Sequence, residues 1–150
     1  MVILHLRDFL RDRFKFIQSF CLALGKWGCY FFCLLDIAKE IVHKSFDVFD
    51  TAYFAIKEGF IVFNMDDYED ERNFFISEPT RILEMLTGFK FDVRIESPDY
   101  VLKENEYAVE EWSKDNKRHF ARTRKGYNSL QSSICINEGK ITSLRVFRRK

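Results

Sequence analysis

The chain has 150 residues, 47% of them apolar, which is the usual size of one domain with a real core, so a single domain over 1–150 is expected. Its 24 Lys+Arg stand against 23 Asp+Glu, a formal net charge of +1. That balance excludes a global attraction to nucleic acid or membrane and leaves only local patches for such contacts. Four cysteines at this length do not suggest a disulfide framework and agree with a reducing compartment.

From Met1 to Phe20, Arg7, Asp8, Arg11, Asp12 and Arg13 alternate with Leu6, Phe9, Leu10, Phe14 and Ile17, a spacing that predicts an amphipathic helix with a charged outer face. The apolar region from about Phe16 to Ile37 is broken by Gln18, Lys26 and Asp36, which makes a poor membrane span. No small-residue cleavage site follows a clean apolar core, so no signal peptide and no membrane partner are expected, and the protein reads as cytoplasmic. Gln18 to Gly28 reads as a connection, with Gly25 and Gly28 marking tight backbone.

Cys29 then opens the longest helical pattern. Phe31, Leu34, Leu35, Ala38, Ile41 and Val42 form one apolar stripe, and Asp36, Lys39, Glu40 and His43 share the opposite, wet face. Ser45 or Asp47 can cap a second helix that runs to about Glu58, with Gly59 as its stop. Phe60 to Phe63 is strand-like, and Asn64 to Arg72 is an acidic, exposed loop whose run from Asp66 to Glu71 needs no role beyond solubility. Ser77-Glu78-Pro79 introduces a third helix over Thr80 to Thr87, with Gly88 as its stop.

The period changes at Phe89. Strands are expected over Phe89 to Glu96, Tyr107 to Trp112, Arg118 to Thr123, Ser133 to Ile136 and Ile141 to Arg148, with Asn137-Glu138-Gly139-Lys140 as a hairpin turn between the last two. Helices first and an antiparallel sheet second is an α+β arrangement.

Cys29 is the residue with chemical promise. The unpaired amides and the positive dipole end of a helix N-terminus favour a thiolate, and Gly28 allows another part of the chain to approach the sulfur. A thiol pKa well below the free value of about 8.5 is therefore expected, and that is what makes a cysteine a nucleophile. A cysteine before Tyr-Phe-Phe-Cys also reads as a small core residue, and Cys33, one turn on, reads as packing.

Gln18, Trp27-Gly28-Cys29 heading a helix, His119-Phe120 opening a strand and Tyr127-Asn128 shortly after resemble the papain-like cysteine peptidase superfamily, nearest to the branch of bacteriocin-processing and related small bacterial peptidases. The whole chain also resembles a family of uncharacterised, largely plasmid- or phage-borne proteins. The resemblance implies a papain-like fold, with the Cys-headed helix central and the helices packed on the sheet, and a thiol hydrolase working through an acyl-thioester on a peptide or amide substrate. By the same resemblance Cys29 is the nucleophile, His119 its base, Asn128 the group that orients the imidazole, and Gln18 an oxyanion donor beside the backbone N–H of Cys29.

No cofactor follows from this chemistry, and no metal is expected, since no pair among Cys21, Cys29, Cys33 and Cys135 has the short spacing of a zinc site. Lys114, Lys117, Arg118, Arg122, Arg124 and Lys125 form a basic cluster with Trp112, Phe120 and Tyr127 interleaved, extended by the tail Arg148-Arg149-Lys150. It reads first as a solvated sheet face, and nucleic acid is not expected as the partner. The alternative from another class is a catalytically degenerate interaction protein of plasmid or phage origin that uses this face for a partner, nucleic acid being one candidate. Arg118, Phe120, Arg122 and Arg124 share one strand face, so burying Phe120 requires the arginines to snorkel or lie at an edge.

Overall fold

Among the described residues, helices dominate the first half of the chain and an antiparallel sheet the second. The computed structural model describes residues 14–15, 17–24, 27–64, 74–125 and 134–150. Its elements are α1 (Ile17–Leu24), α2 (Cys29–Val42), α3 (Val48–Lys57), β1 (Ile61–Val62), β2 (Phe75–Ile76), α4 (Pro79–Thr87), β3 (Phe91–Glu96), β4 (Glu106–Lys114), β5 (Lys117–Ala121), a 3₁₀ turn (Thr123–Lys125), α5 (Ile134–Glu138) and β6 (Lys140–Arg149).

The helix ends follow local chemistry. The Asp47 side chain accepts from the Asp50 N–H at 2.8 Å and starts α3, satisfying a donor that the first turn leaves unpaired. Pro79 opens α4, and Gly88, at φ 78°, closes it with an N–H bond to the Glu84 carbonyl, the left-handed stop that glycine adopts without steric cost.

Two expected elements differ. Residues read as a connection after Gln18 are helical as far as Leu24. Their apolar residues Phe20, Ala23 and Leu24 are buried, and this packing outweighs the polar interruptions. The strand expected from Ser133 to Ile136, with its hairpin at Asn137 to Lys140, is instead the helix α5, ended by an N–H bond from Gly139 to the Cys135 carbonyl at 2.9 Å. A short apolar run satisfies either period, and tertiary packing decides. The hairpin that does form joins β4 to β5 through Asp115 and Asn116, both at positive φ, the backbone a tight two-residue hairpin needs.

The main sheet is four-stranded and antiparallel, in the order β3-β6-β4-β5, so β3 and β5 are its edges; β1 and β2 make a separate ribbon. The register sets Glu111 opposite Phe120 and Trp112 opposite His119, with an irregularity in β4 between Glu111 and Trp112. Helix α2 lies against β4 and β5, and α4 bridges α2 and β3. Phe31, Cys33, Leu34, Leu35, Ile37 and Ala38 of α2 are buried in one cluster with Ile82, Leu83, Phe91, Val109 and Phe147. The buried part of α2 is broader than the expected stripe because Cys33 and Ile37 also meet neighbours, while Ile41 is only partly buried. The phenylalanines of the first half pack on one another: the Phe20 ring sits 5.7 Å from Phe49 and Phe63 and 5.8 Å from Phe74. Offset and edge-to-face pairs of this kind add to the gain from area alone.

Candidate active site at the start of α2

Cys29 is the first residue of α2, and Gly28 before it provides no side-chain cap. The chain turns here with Gly28 N–H bonded to the Leu24 carbonyl at 2.9 Å and Phe32 N–H bonded to the Gly28 carbonyl at 2.9 Å. A β-carbon on Gly28 would stand 2.3 Å from the Leu24 carbonyl oxygen. The glycine is thus required by the tight joint between α1 and α2, where sequence reading attributed it to an approach to the sulfur.

The thiol is half-buried, and the backbone N–H groups of Phe120, Tyr30 and Cys29 itself point toward it. The sulfur therefore rests against the peptide unit that joins His119 to Phe120. Burial nevertheless dominates its electrostatics. It pushes the thiol above the ordinary value, the three N–H groups pull the other way, and the nearby Cys135 adds to the rise. The depressed pKa expected from helix position alone is not what this environment produces, because desolvation of an ion outweighs a few partial charges.

His119 is buried, 5% exposed, on the edge strand β5. Strand alternation separates two sets of side chains. Phe120 stacks on Tyr30, and Arg118 pairs with Glu111, on the face toward α2. His119 and Ala121 belong to the other face, which holds Glu110, Trp112 and Thr123. There the Glu110 carboxylate accepts from Trp112 Nε1 at 2.9 Å, Thr123 Oγ1 at 2.6 Å, Thr123 N–H at 3.1 Å and Arg124 N–H at 3.1 Å. The His119 side chain thus belongs to the sheet face opposite the one toward α2, and what β5 brings to the sulfur is the backbone N–H of Phe120. Gln18 lies on α1 with its side chain exposed. Asn128, with Tyr127, lies outside the described residues.

Of the basic cluster, Lys117, Arg118, Arg124 and Lys125 are exposed as expected, and Arg122 is the exception. Arg122 is an interior residue, 2% exposed. Its Nε donates to the Ala108 carbonyl at 3.0 Å, and its two terminal nitrogens donate to Asp36 and Glu40 of α2, each at 2.7 Å. Lys125 reaches Glu40 at 3.2 Å, and Arg124 donates to the Pro98 carbonyl at 2.7 Å. Burial alone would raise the Glu40 carboxyl, but hydrogen bonds and charge from Arg122 and Lys125 outweigh it and hold it below the usual carboxylate range. Sequence reading missed this cluster because it assigned Asp36 and Glu40 to a wet helix face and Arg122 to a wet strand face. Those faces meet.

Among the described residues, no group of His, Cys, Asp and Glu is placed to hold a metal ion, and no single helix is long and apolar enough to cross a membrane.

The fold defines the class: an α+β protein whose cysteine-headed helix packs on a C-terminal antiparallel sheet. The family model described as "Protein of unknown function, DUF261" matches residues 16–149, and the chain belongs to that family. Comparisons with curated proteins and with solved structures give no match.

Proposed function

We propose that the protein is a papain-like thiol hydrolase, a cysteine peptidase or amidase, that works through an acyl-thioester on Cys29. The observation that carries this reading is the position of the sulfur, at the head of α2 and against the His119–Phe120 peptide unit. His119 takes the thiol proton as the sulfur attacks the substrate carbonyl, and returns it to the departing amine. Water then attacks the thioester with His119 as base, which releases the acid and restores the thiol. The N–H groups at the start of α2 supply donors where negative charge develops on the carbonyl oxygen. The roles of His119 as base, of Gln18 as a further donor and of Asn128 as the group orienting His119 rest on the resemblance to papain-like peptidases.

The test is to incubate the protein with a panel of peptidyl aminocoumarins and find the acylated residue by mass spectrometry. Acyl adducts on Cys29, absent in Cys29→Ala and strongly reduced in His119→Ala, are the expected result.

The second reading, a catalytically degenerate interaction protein, is favoured by the upward shift of the thiol under burial. A chain that takes no acyl group from any amide or activated ester, while remaining folded, would establish that reading instead.

A further inference from the structure

We propose that Arg122 is a positioning residue for the Cys29–His119 pair, acting through the ion pairs that tie α2 to β5; this rests on the thiol-hydrolase reading above. The nucleophile and the base stand on different elements, and their relative placement is only as good as the joint between those elements. Arg122 lies three residues beyond His119 on the chain that continues β5, and Asp36 and Glu40 lie on the helix that begins with Cys29. The guanidinium fills this joint with a planar fork. One terminal nitrogen holds Asp36, the other holds Glu40, and Nε holds the Ala108 carbonyl of the neighbouring strand β4.

That geometry fixes more than distance. Asp36 and Glu40 are one turn apart on α2, so a two-pronged contact sets both the rotation of the helix and its slide along the strand. Slide along this axis moves the head of α2 toward or away from the His119–Phe120 peptide. At the other end of the same joint Tyr30, next to Cys29, stacks on Phe120, next to His119. The stack tolerates sliding because ring faces are smooth, whereas the fork does not, so alignment falls to Arg122. A lysine keeps the charge but cannot reach three acceptors in one plane.

The experiment measures iodoacetamide alkylation of Cys29 relative to the exposed Cys21 of the same molecule. It compares the wild-type chain, Arg122→Lys, Arg122→Met and Glu40→Gln, each also in a His119→Ala background. Glu40→Gln is included because it keeps shape and one prong of the fork, and so leaves a folded variant if Arg122→Met fails to fold. If Arg122 positions the pair, each substitution slows Cys29 where His119 is present, toward the roughly 10²-fold loss that a misplacement of about 1 Å can cause. Each then has no further effect once His119 is gone. A merely structural role predicts the opposite sign, since loosening the joint exposes a half-buried sulfur and speeds its labelling in both backgrounds. That result, or no change, overturns the positioning role while the thiol-hydrolase reading survives, provided that His119→Ala alone slows Cys29. If His119→Ala does not slow Cys29, both fall together.

Discussion

Tyr30 lies stacked on Phe120, with ring centroids 4.7 Å apart and planes inclined by 25°. The residue after the candidate nucleophile therefore packs on the residue after the candidate base, and Arg145 covers the Phe120 ring at 5.6 Å. A double-mutant cycle with Tyr30→Leu and Phe120→Leu should return a coupling of about 0.5–1.5 kcal/mol, the range for aromatic pairs beyond their area. Denaturant midpoints measure it. Additive single costs would mean that the two rings are merely near each other.

A second prediction concerns Glu106, the first residue of β4, whose side chain is almost fully enclosed. It accepts from the Lys103 N–H at 2.7 Å and the Tyr100 hydroxyl at 2.8 Å, and it pairs with Arg94. Burial alone would raise this carboxyl, but those donors and the guanidinium outweigh it and bring it down to about 2. A carboxyl lowered on folding contributes stability above its unfolded value, about 4.3, and loses it as pH falls through that value toward about 2. Urea midpoints followed through this range should fall more steeply for the wild type than for Glu106→Gln. Parallel acid profiles for the two proteins would remove Glu106 from the account.

Much of the fold could be read in advance because it rests on local signals. Asp47 as a cap, Pro79 at a first turn and Gly59 and Gly88 as left-handed stops each require a particular backbone, so they mark helix ends without knowledge of neighbours. The start of α2 at Cys29 and the change of period at Phe89 were legible for the same reason. What sequence could not show were relations between elements. Nothing local to Asp36, Glu40 or Arg122 says that two charged faces will close on each other, and the acidic pair and its arginine are separated by 82 to 86 residues. The apolar run Ile134-Cys135-Ile136 is too short to choose between the two periods, and it is helical with Cys135 buried. Asp115-Asn116, both at positive φ, is by contrast a purely local hairpin signal. At the candidate site the position of Cys29 was legible and its electrostatics were not, since helix-end polarity is a sequence property while desolvation depends on what covers the sulfur.

Gly139 offers a test of the α5–β6 joint. A β-carbon there would stand 2.3 Å from both the Cys135 and Ser113 carbonyl oxygens, and both are backbone atoms that cannot turn aside. Gly59 differs, since it has φ 81° with open space around it, and alanine there meets only the left-handed penalty of about 1–2 kcal/mol. Gly139→Ala should therefore lower the melting temperature more than Gly59→Ala does. If the two alanines cost the same, α5 yields easily and is not held against β4.

The last prediction is the alkaline behaviour of Cys29. Its sulfur sits among backbone N–H donors at a helix N-terminus, yet burial raises the thiol pKa and Cys135 adds to the rise. The resting protein should therefore hold Cys29 as a neutral thiol at neutral pH, so that any catalysis begins with proton removal by His119 during attack and not from a preformed thiolate. Iodoacetamide should label Cys29 more slowly than the exposed Cys21, with the rate climbing only above the free-cysteine range near about 8.5. The same shift acts on stability. Where folding raises the pKa of an acid, the unfolded chain ionises first as pH rises, so the native state binds more protons and stability falls above the unfolded value. Cys29→Ala removes this group, so its urea midpoint should decline less between neutral and alkaline pH than that of the wild type. Tyr30 is also raised by burial, and because it is present in both proteins its contribution cancels in the comparison. A Cys29 that alkylates fully at neutral pH, ahead of Cys21, with no alkaline difference between wild type and Cys29→Ala, would show that His119 and the helix N-terminus overcome burial and that a thiolate rests at the head of α2.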